Sequence, residues 1–157
     1  MIVEPGAIVL FHGEAKVISN GSVCMNGTVK NPIWIKTLNS EKQGMFTLST
    51  SCDSLIMTHV KIENTRIVSK LNKLLLYNIS FVNTIKLEWN QSLLTAHGGS
   101  FILSNSVIES NNTGEGILCH NIDYPLIENN IFNNVPDAVE FIQCTHGRIL
   151  NNKISYT

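Results

Sequence analysis

The segment Ile127-Glu128-Asn129-Asn130-Ile131 follows an apolar-x-polar-x-apolar pattern, and this pattern decides the fold. Apolar residues at every second position are typical of a β-strand, in which alternate side chains face the core. The pattern recurs along the chain, starting at Ile56, Leu75, Leu103, Ile127 and Leu150. The spacings of 19, 28, 24 and 23 residues fit solenoid turns with loops of variable length. The sequence therefore predicts an all-β, right-handed parallel β-helix of about six to seven coils.

The repeat also predicts which side chains share a position in successive coils. Because each segment starts the same alternation, we expect Ile56, Leu75, Leu103, Ile127 and Leu150 to stack in one buried column. Shorter apolar runs precede several of these segments and predict at least one more strand in each coil. Three residues just before the repeated strands are expected to form one inward row, namely Cys52, Ile122 and Cys144.

Asparagine is frequent at the centres and ends of the repeated strands, as at Asn105, Asn129 and Asn152. Stacked Asn amides can hydrogen-bond from coil to coil, so an inward or corner Asn need not remain unsatisfied. We interpret the Asn excess as a structural ladder before any role in ligand binding.

Composition limits the classes of function. The chain has 157 residues, 11 Lys plus Arg against 12 Asp plus Glu, and a formal net charge of −1. This balance does not favour nucleic acid or anionic lipid as a partner. No apolar stretch reaches the length of a membrane span. We interpret residues 1–157 as a single β-helix domain and expect it to be a fragment of a longer protein.

Four cysteines lie far apart, without a C-x-x-C pair. They are expected to be buried thiols, with Cys52 and Cys144 not bridged to each other. The five histidines never form H-x-H or H-E-x-x-H. We therefore expect no metal site, and nothing in the sequence indicates a cofactor.

Two stretches resemble known β-helix repeats. The opening stretch contains Val3-x-Pro5-Gly6-Ala7-Ile8 and Asn31-Pro32-Ile33-x-Ile35, and it resembles the start of β-helix regions in large bacterial surface proteins. The closing stretch, with Phe132-Asn133-Asn134-Val135-Pro136-Asp137 and Gly147-Arg148-Ile149-Leu150-Asn151-Asn152, is similar to β-helix segments beside spore-coat kinase-like domains. The resemblance implies an extracellular or cell-envelope setting and an accessory module near carbohydrate. It implies no catalytic residues in this chain.

Enzymatic attack on a polysaccharide is the alternative, because parallel β-helices include lyases, hydrolases and epimerases. Asp123 and His146 are expected to meet in adjacent coils, which are about 4.8 Å apart. Asp123, His146 and Asp137 are the candidate catalytic residues. The alternative is that all three are solvated corner residues without a catalytic role. Candidate ligand-binding residues are His120, Glu140, Arg148 and Trp89.

Aromatic side chains can stack on sugar rings, but aromatics at strand positions are more often packing residues. Trp89 is the better sugar-contacting candidate because it lies among polar residues in Glu88-Trp89-Asn90-Gln91, and Trp34 ranks below it. The leading functional hypothesis is a non-catalytic β-helical module of a secreted or cell-surface protein that serves either as a rigid spacer or as a carbohydrate-contacting surface. End-to-end self-association is a further possibility, because the solenoid ends lack obvious polar caps.

Overall fold

The computed structural model describes residues 1–38, 41–70, 73–88 and 90–156. Within those ranges the chain contains strands and no helices, and every paired strand is parallel to its neighbour. In chain order the strands are β1 (Ile2–Val3), β2 (Ile8–Phe11), β3 (Lys16–Ser19), β4 (Val23–Asn26), β5 (Ile33–Thr37), β6 (Gly44–Leu48), β7 (Ser54–Thr58), β8 (Val60–Glu63), β9 (Thr65–Lys70), β10 (Lys73–Tyr77), β11 (Ser80–Val82), β12 (Ser92–His97), β13 (Ser100–Ser104), β14 (Val107–Glu109), β15 (Glu115–His120), β16 (Leu126–Glu128), β17 (Ile131–Asn133), β18 (Asp137–Ile142), β19 (Arg148–Leu150) and β20 (Lys153–Ser155).

Every third strand along the chain belongs to the same sheet. The first sheet is β1-β4-β7-β10-β13-β16-β19, the second is β2-β5-β8-β11-β14-β17-β20, and the third is β3-β6-β9-β12-β15-β18. One pass through the three sheets is one coil, and about six coils stack into a solenoid. The predicted all-β parallel β-helix is confirmed.

The core runs along the solenoid axis as columns of inward side chains. In the second sheet one such column is Val9, Ile35, Ile62, Phe81, Ile108, Phe132 and Ile154. Its middle members, from Ile35 to Phe132, are at most 1% exposed. Full burial of such a side chain contributes about 1.5–3 kcal/mol, so continuous columns supply the stability that the short strands lack on their own.

The expectation of a single buried column for the five repeated segments is wrong. Leu103 and Ile127 are register partners and face the core, as predicted. Ile56 and Leu75 pair with each other in the neighbouring column, where they are half-buried on the outer face. Leu150 pairs with Glu128 and also lies outward. A register slip of one residue moves a side chain to the opposite face of a strand. The predicted register is one residue off in three of the five segments.

A left-handed residue at the corner between the first and second sheets sets the true register. His59, Asn78, Asn105, Asn129 and Asn151 all have φ between 50° and 56°. The inward residue lies two positions earlier in each coil, at Met57, Leu76, Leu103, Ile127 and Ile149. Asn tolerates left-handed φ better than most side chains. The Asn excess therefore marks corners as well as hydrogen-bond ladders.

A short ladder of buried polar side chains follows that corner. Asn130 Nδ2 donates to Asn152 Oδ1 at 3.0 Å and to the Leu103 carbonyl at 3.1 Å. Asn130 Oδ1 accepts a hydrogen bond from the Ser106 backbone N–H at 2.8 Å. Asn130 is only 1% exposed, so these bonds meet the requirement that a buried amide be satisfied. The predicted coil-to-coil bond is observed for Asn152, whereas Asn105 and Asn129 are exposed at the corner itself.

The cysteine predictions are confirmed in part. Cys52 and Ile122 are buried at equivalent corners, and Cys52 and Cys144 form no disulfide with each other. Cys144 also packs against the core but is only partly buried, and the expectation of burial fails in the same way for Cys24. Its Sγ donates to the Cys119 carbonyl at 3.3 Å. Burial raises the pKa of the Cys119 thiol, which keeps that thiol protonated and poorly reactive.

Adjacent leucines in β10 test the corrected register. Leu76→Ala should lower the free energy of unfolding by about 2–5 kcal/mol because it empties a core position. Leu75→Ala should cost about 1 kcal/mol or less, since Leu75 is half-buried on the outer face. Urea unfolding of the two variants measures the difference. Equal losses would contradict the inward assignment of Leu76.

Candidate functional site

The three candidate catalytic residues do not form one group. Asp137 begins β18, whereas Asp123 and His146 lie at the corner between the third and first sheets, beyond the other end of that strand. A six-residue strand such as β18 is roughly 17 Å long. The structure therefore brings Asp123 to His146 and leaves Asp137 elsewhere.

Asp123 lies where the chain turns from the third sheet to the first, and the same turn of the next coil stacks on it. Asp123 pairs in register with Thr145, one residue before the expected partner His146. Asp123 Oδ1 accepts a hydrogen bond from Thr145 Oγ1 and lies 3.3 Å from His146 Nδ1. These contacts, with Thr145 first, lower the pKa of the Asp123 carboxyl. The Tyr124 ring stacks on the His146 imidazole with centroids 4.4 Å apart and planes 11° apart.

This corner offers a carboxylate that orients an imidazole, which is one element of general-base chemistry. Glycoside hydrolysis also needs a second carboxyl group across the scissile bond. The candidate for that role, Asp137, lies at the far end of β18. Within the described ranges, no three His, Cys, Asp or Glu side chains are grouped so that they could hold a metal ion.

Asp137 instead lies in an acidic group at the start of the third-sheet strands. It pairs in register with Glu115, and Glu140 lies three residues further along β18. Burial first, and then the charge of Glu140, raises the pKa of the Glu115 carboxyl. Glu115 Oε2 is buried and has no hydrogen-bond partner among the described residues.

His120 and Arg148 occupy further separate positions. His120 is the register partner of His97 at the end of the third-sheet strands, and their rings meet edge to face at 5.4 Å. Burial, with the nearby His120 and Lys70, lowers the pKa of His97. Arg148 is exposed at the start of β19, where its backbone N–H donates to the Pro125 carbonyl at 2.8 Å. The last two coils thus carry their ionisable groups at four separate positions.

Trp89 lies outside the described residues, and Trp34 is the tryptophan whose surroundings are known. Trp34 is half-buried on the outer face of the second sheet, between the fully buried Ile33 and Ile35. Its register partner is Lys61 of the next coil. The Lys61 Nζ lies 4.7 Å from the centroid of the Trp34 ring, and the Lys36 Nζ lies 5.6 Å from it.

Two neighbouring cavities on the outer face of the second sheet share Lys61 and Ser80 as lining residues, and together we call them the groove. Its part beside Trp34 has a volume of about 360 Å³ and is also lined by Lys61, Glu63 and Ser80. Its part beside the corner has a volume of about 270 Å³ and shares Lys61 and Ser80. This second part is lined further by Thr28, Val29, Pro32, His59, Asn78, Asn105 and Val107.

The loop of residues 27–32 forms one wall of the groove and is held by local hydrogen bonds. The Asn31 backbone N–H donates to Thr28 Oγ1 at 3.0 Å, and the Asn31 carbonyl accepts from Gly6 at 3.1 Å. Gly27 begins the loop where a Cβ would lie 2.4 Å from the His59 carbonyl oxygen. Only glycine fits so close an approach, so the wall stands at a defined place beside the sheet.

The polar residues around Trp89 favour it over Trp34 in the sequence, which does not reveal the neighbour of Trp34 in the next coil. Lys61 is 27 positions away, and this spacing differs from all four spacings of the repeat. The available signal was the alternation Ile33-Trp34-Ile35, which places Trp34 on the face opposite two core residues.

Comparison of the chain with protein-family models, with curated proteins and with solved structures returned no match. The resemblance to repeats of bacterial surface proteins and of spore-coat-associated segments therefore stays a hypothesis. In the described part of the chain, no helix has the length and apolar character needed to cross a membrane.

The partly buried carboxyl group of Glu115 generates a pH-dependent prediction. Its folded-state pKa is raised, so its contribution to stability is complete below the unfolded-state pKa, about 4.3, and falls as the pH rises through the folded-state pKa. Glu115→Gln should therefore raise the melting temperature by roughly 2 °C at pH 7 and leave it nearly unchanged at pH 4. Thermal denaturation at both pH values measures this shift.

The matched control is Glu109→Gln, because Glu109 is exposed on the outer face of the second sheet. It should change the melting temperature little at either pH. A stabilisation by Glu115→Gln that is equal at both pH values would contradict ionisation as the cause.

Proposed function

We propose that this chain is a non-catalytic β-helical module that binds a polysaccharide along the groove beside Trp34. The single observation that supports the proposal is an indole held at one end of a groove that crosses several coils. An aromatic face with a few convergent polar groups in a concave surface is the usual composition of a binding site. The setting that we propose is a secreted or cell-surface protein.

The polar groups along the groove recur from coil to coil. His59, Asn78 and Asn105 occupy the same corner position in three successive coils, and Lys61 and Ser80 are register partners on the adjacent strand face. Coils are about 4.8 Å apart. A linear polymer lying along the solenoid axis would therefore meet one polar side chain in each coil, which suits repeating sugar units.

Trp34→Ala tests this function directly. It should weaken binding to any polysaccharide that the wild-type chain binds by about tenfold, or ~1.4 kcal/mol, because it removes the aromatic surface of the groove. Calorimetry with a panel of acidic and neutral polysaccharides measures the change.

The control variant is Tyr124→Ala, which removes an exposed aromatic side chain away from the groove, at the corner between the third and first sheets. It should leave affinity within about twofold. If Tyr124→Ala abolishes binding while Trp34→Ala does not, the binding surface is the Asp123 corner and the groove proposal is wrong.

A polysaccharide lyase, hydrolase or epimerase is the second candidate function, and the 3.3 Å contact between Asp123 and His146 favours it. Under this alternative His146 acts as the base and Asp123 orients it. A cleavage assay that measures reducing ends and unsaturated products on the same polysaccharides tests it. Turnover that His146→Ala abolishes would establish the enzyme and overturn the non-catalytic module.

End-to-end self-association is a separate proposal about partners. The inward residues Ile149 and Ile154 are 49% and 57% exposed in the last described strands. Sedimentation velocity at increasing concentration tests the proposal, and Ile154→Lys should reduce any association by placing a charge on that face.

A further inference from the structure

Two lysines from adjacent coils converge on the indole of Trp34. Lys36 lies two positions after Trp34 on the same face of β5. Lys61, in β8, is the register partner of Trp34. Their ammonium nitrogens lie 5.6 Å and 4.7 Å from the ring centroid. Two positive charges are therefore held beside one aromatic ring at the edge of the groove.

Neither ammonium forms an ion pair within 4.0 Å with a carboxylate of residues 1–38, 41–70, 73–88 or 90–156. Glu63 is the register partner of Lys36 and lines the groove, but it forms no such pair. The part of the groove with an uncompensated positive charge is therefore the part lined by Lys61 and Ser80.

We propose that the groove recognises an acidic polysaccharide, whose carboxylate or sulfate groups bind Lys36 and Lys61. This inference rests on the proposed function, since it concerns the ligand of the same groove. A lysine ammonium is a mobile point charge on a flexible stem, and it can turn from the indole to an incoming anion while remaining near the ring.

The contacts with Trp34 favour an acidic sugar over a neutral one. A neutral pyranose that stacks on the indole competes with the ammonium groups for the same ring and gives them no charged partner. An acidic sugar supplies that partner and can lie against the ring edge at the same time. Glu63 limits the site, because its carboxylate repels anions at the Lys36 end. The ligand charges are therefore expected nearest Lys61.

The chain as a whole does not attract polyanions, because its formal net charge is −1. Binding should therefore depend on two local lysines rather than on a general positive field. A weak dependence on salt is expected, in contrast to the steep dependence of proteins that contact many phosphates. This separates the proposed site from non-specific ion exchange.

The test compares polygalacturonate, its carboxyl-reduced neutral counterpart and dextran sulfate by calorimetry with the full chain. Wild-type protein should bind at least one acidic polymer about tenfold more tightly than the neutral one. Lys36→Gln/Lys61→Gln should lose that preference, and Lys36→Arg/Lys61→Arg should retain most of it. Preference for polygalacturonate identifies carboxylate as the recognised group, and preference for dextran sulfate identifies sulfate.

The matched control is Lys153→Gln, because Lys153 lies in the same outward column of the second sheet, four coils beyond Lys61. It should leave affinity for the acidic polymers within about twofold. An equal loss in Lys153→Gln would show a general charge effect and overturn the inference. Melting temperatures verify that all variants are folded. If the glutamine variant does not fold, the arginine variant provides the test, and its loss of the acidic preference would contradict the inference.

The inference and the proposed function fail in different ways. If the neutral polymer binds as tightly as the acidic ones and Trp34→Ala weakens it, the groove binds sugar and the acidic preference is wrong. If none of the polymers binds, and no member of the wider panel binds, both are wrong.

Discussion

In five successive coils, one left-handed residue turns the chain from the first sheet to the second, and the rest of this β-helix depends on that constraint. The left-handed conformation costs about 1–2 kcal/mol for most side chains, and Asn tolerates it best among the non-glycine residues found here. The corner N–H groups of Asn78 and Asn129 donate to the carbonyls of Ser104 and Leu150 in the next coil, at 3.1 Å and 2.9 Å. Corner geometry and sheet register are therefore fixed by the same hydrogen bonds.

Stacking in register brings residues that are distant in sequence onto one surface. Trp34 meets Lys61 because β5 and β8 pair in the second sheet, and the corner residues His59 and Asn78 line the same groove. A flat outer face would offer these groups no enclosure. The loop of residues 27–32 supplies a wall, and its place depends on the close approach of Gly27 to the His59 carbonyl.

The acidic and basic residues of the last coils show why closeness in sequence is a weak guide to a site. Asp123 and His146 meet because their corners stack. Asp137 and His146 are close in sequence, yet β18 extends between them. An extended strand separates its ends by about 3.3 Å per residue, so a group of ionisable residues that spans one strand becomes two surfaces. The catalytic hypothesis retains one carboxylate–imidazole pair.

The sequence by itself determined the fold class, because period-two alternation and turns of 19 to 28 residues leave few architectures other than a parallel solenoid. It also predicted the buried Leu103 and Ile127. It did not determine the face of Ile56, Leu75 or Leu150, since adjacent apolar residues fit the alternation in either register. Only the tertiary structure decided that register and the contact of Lys61 with Trp34. Both depend on which residue turns each corner and on loop lengths that vary from coil to coil.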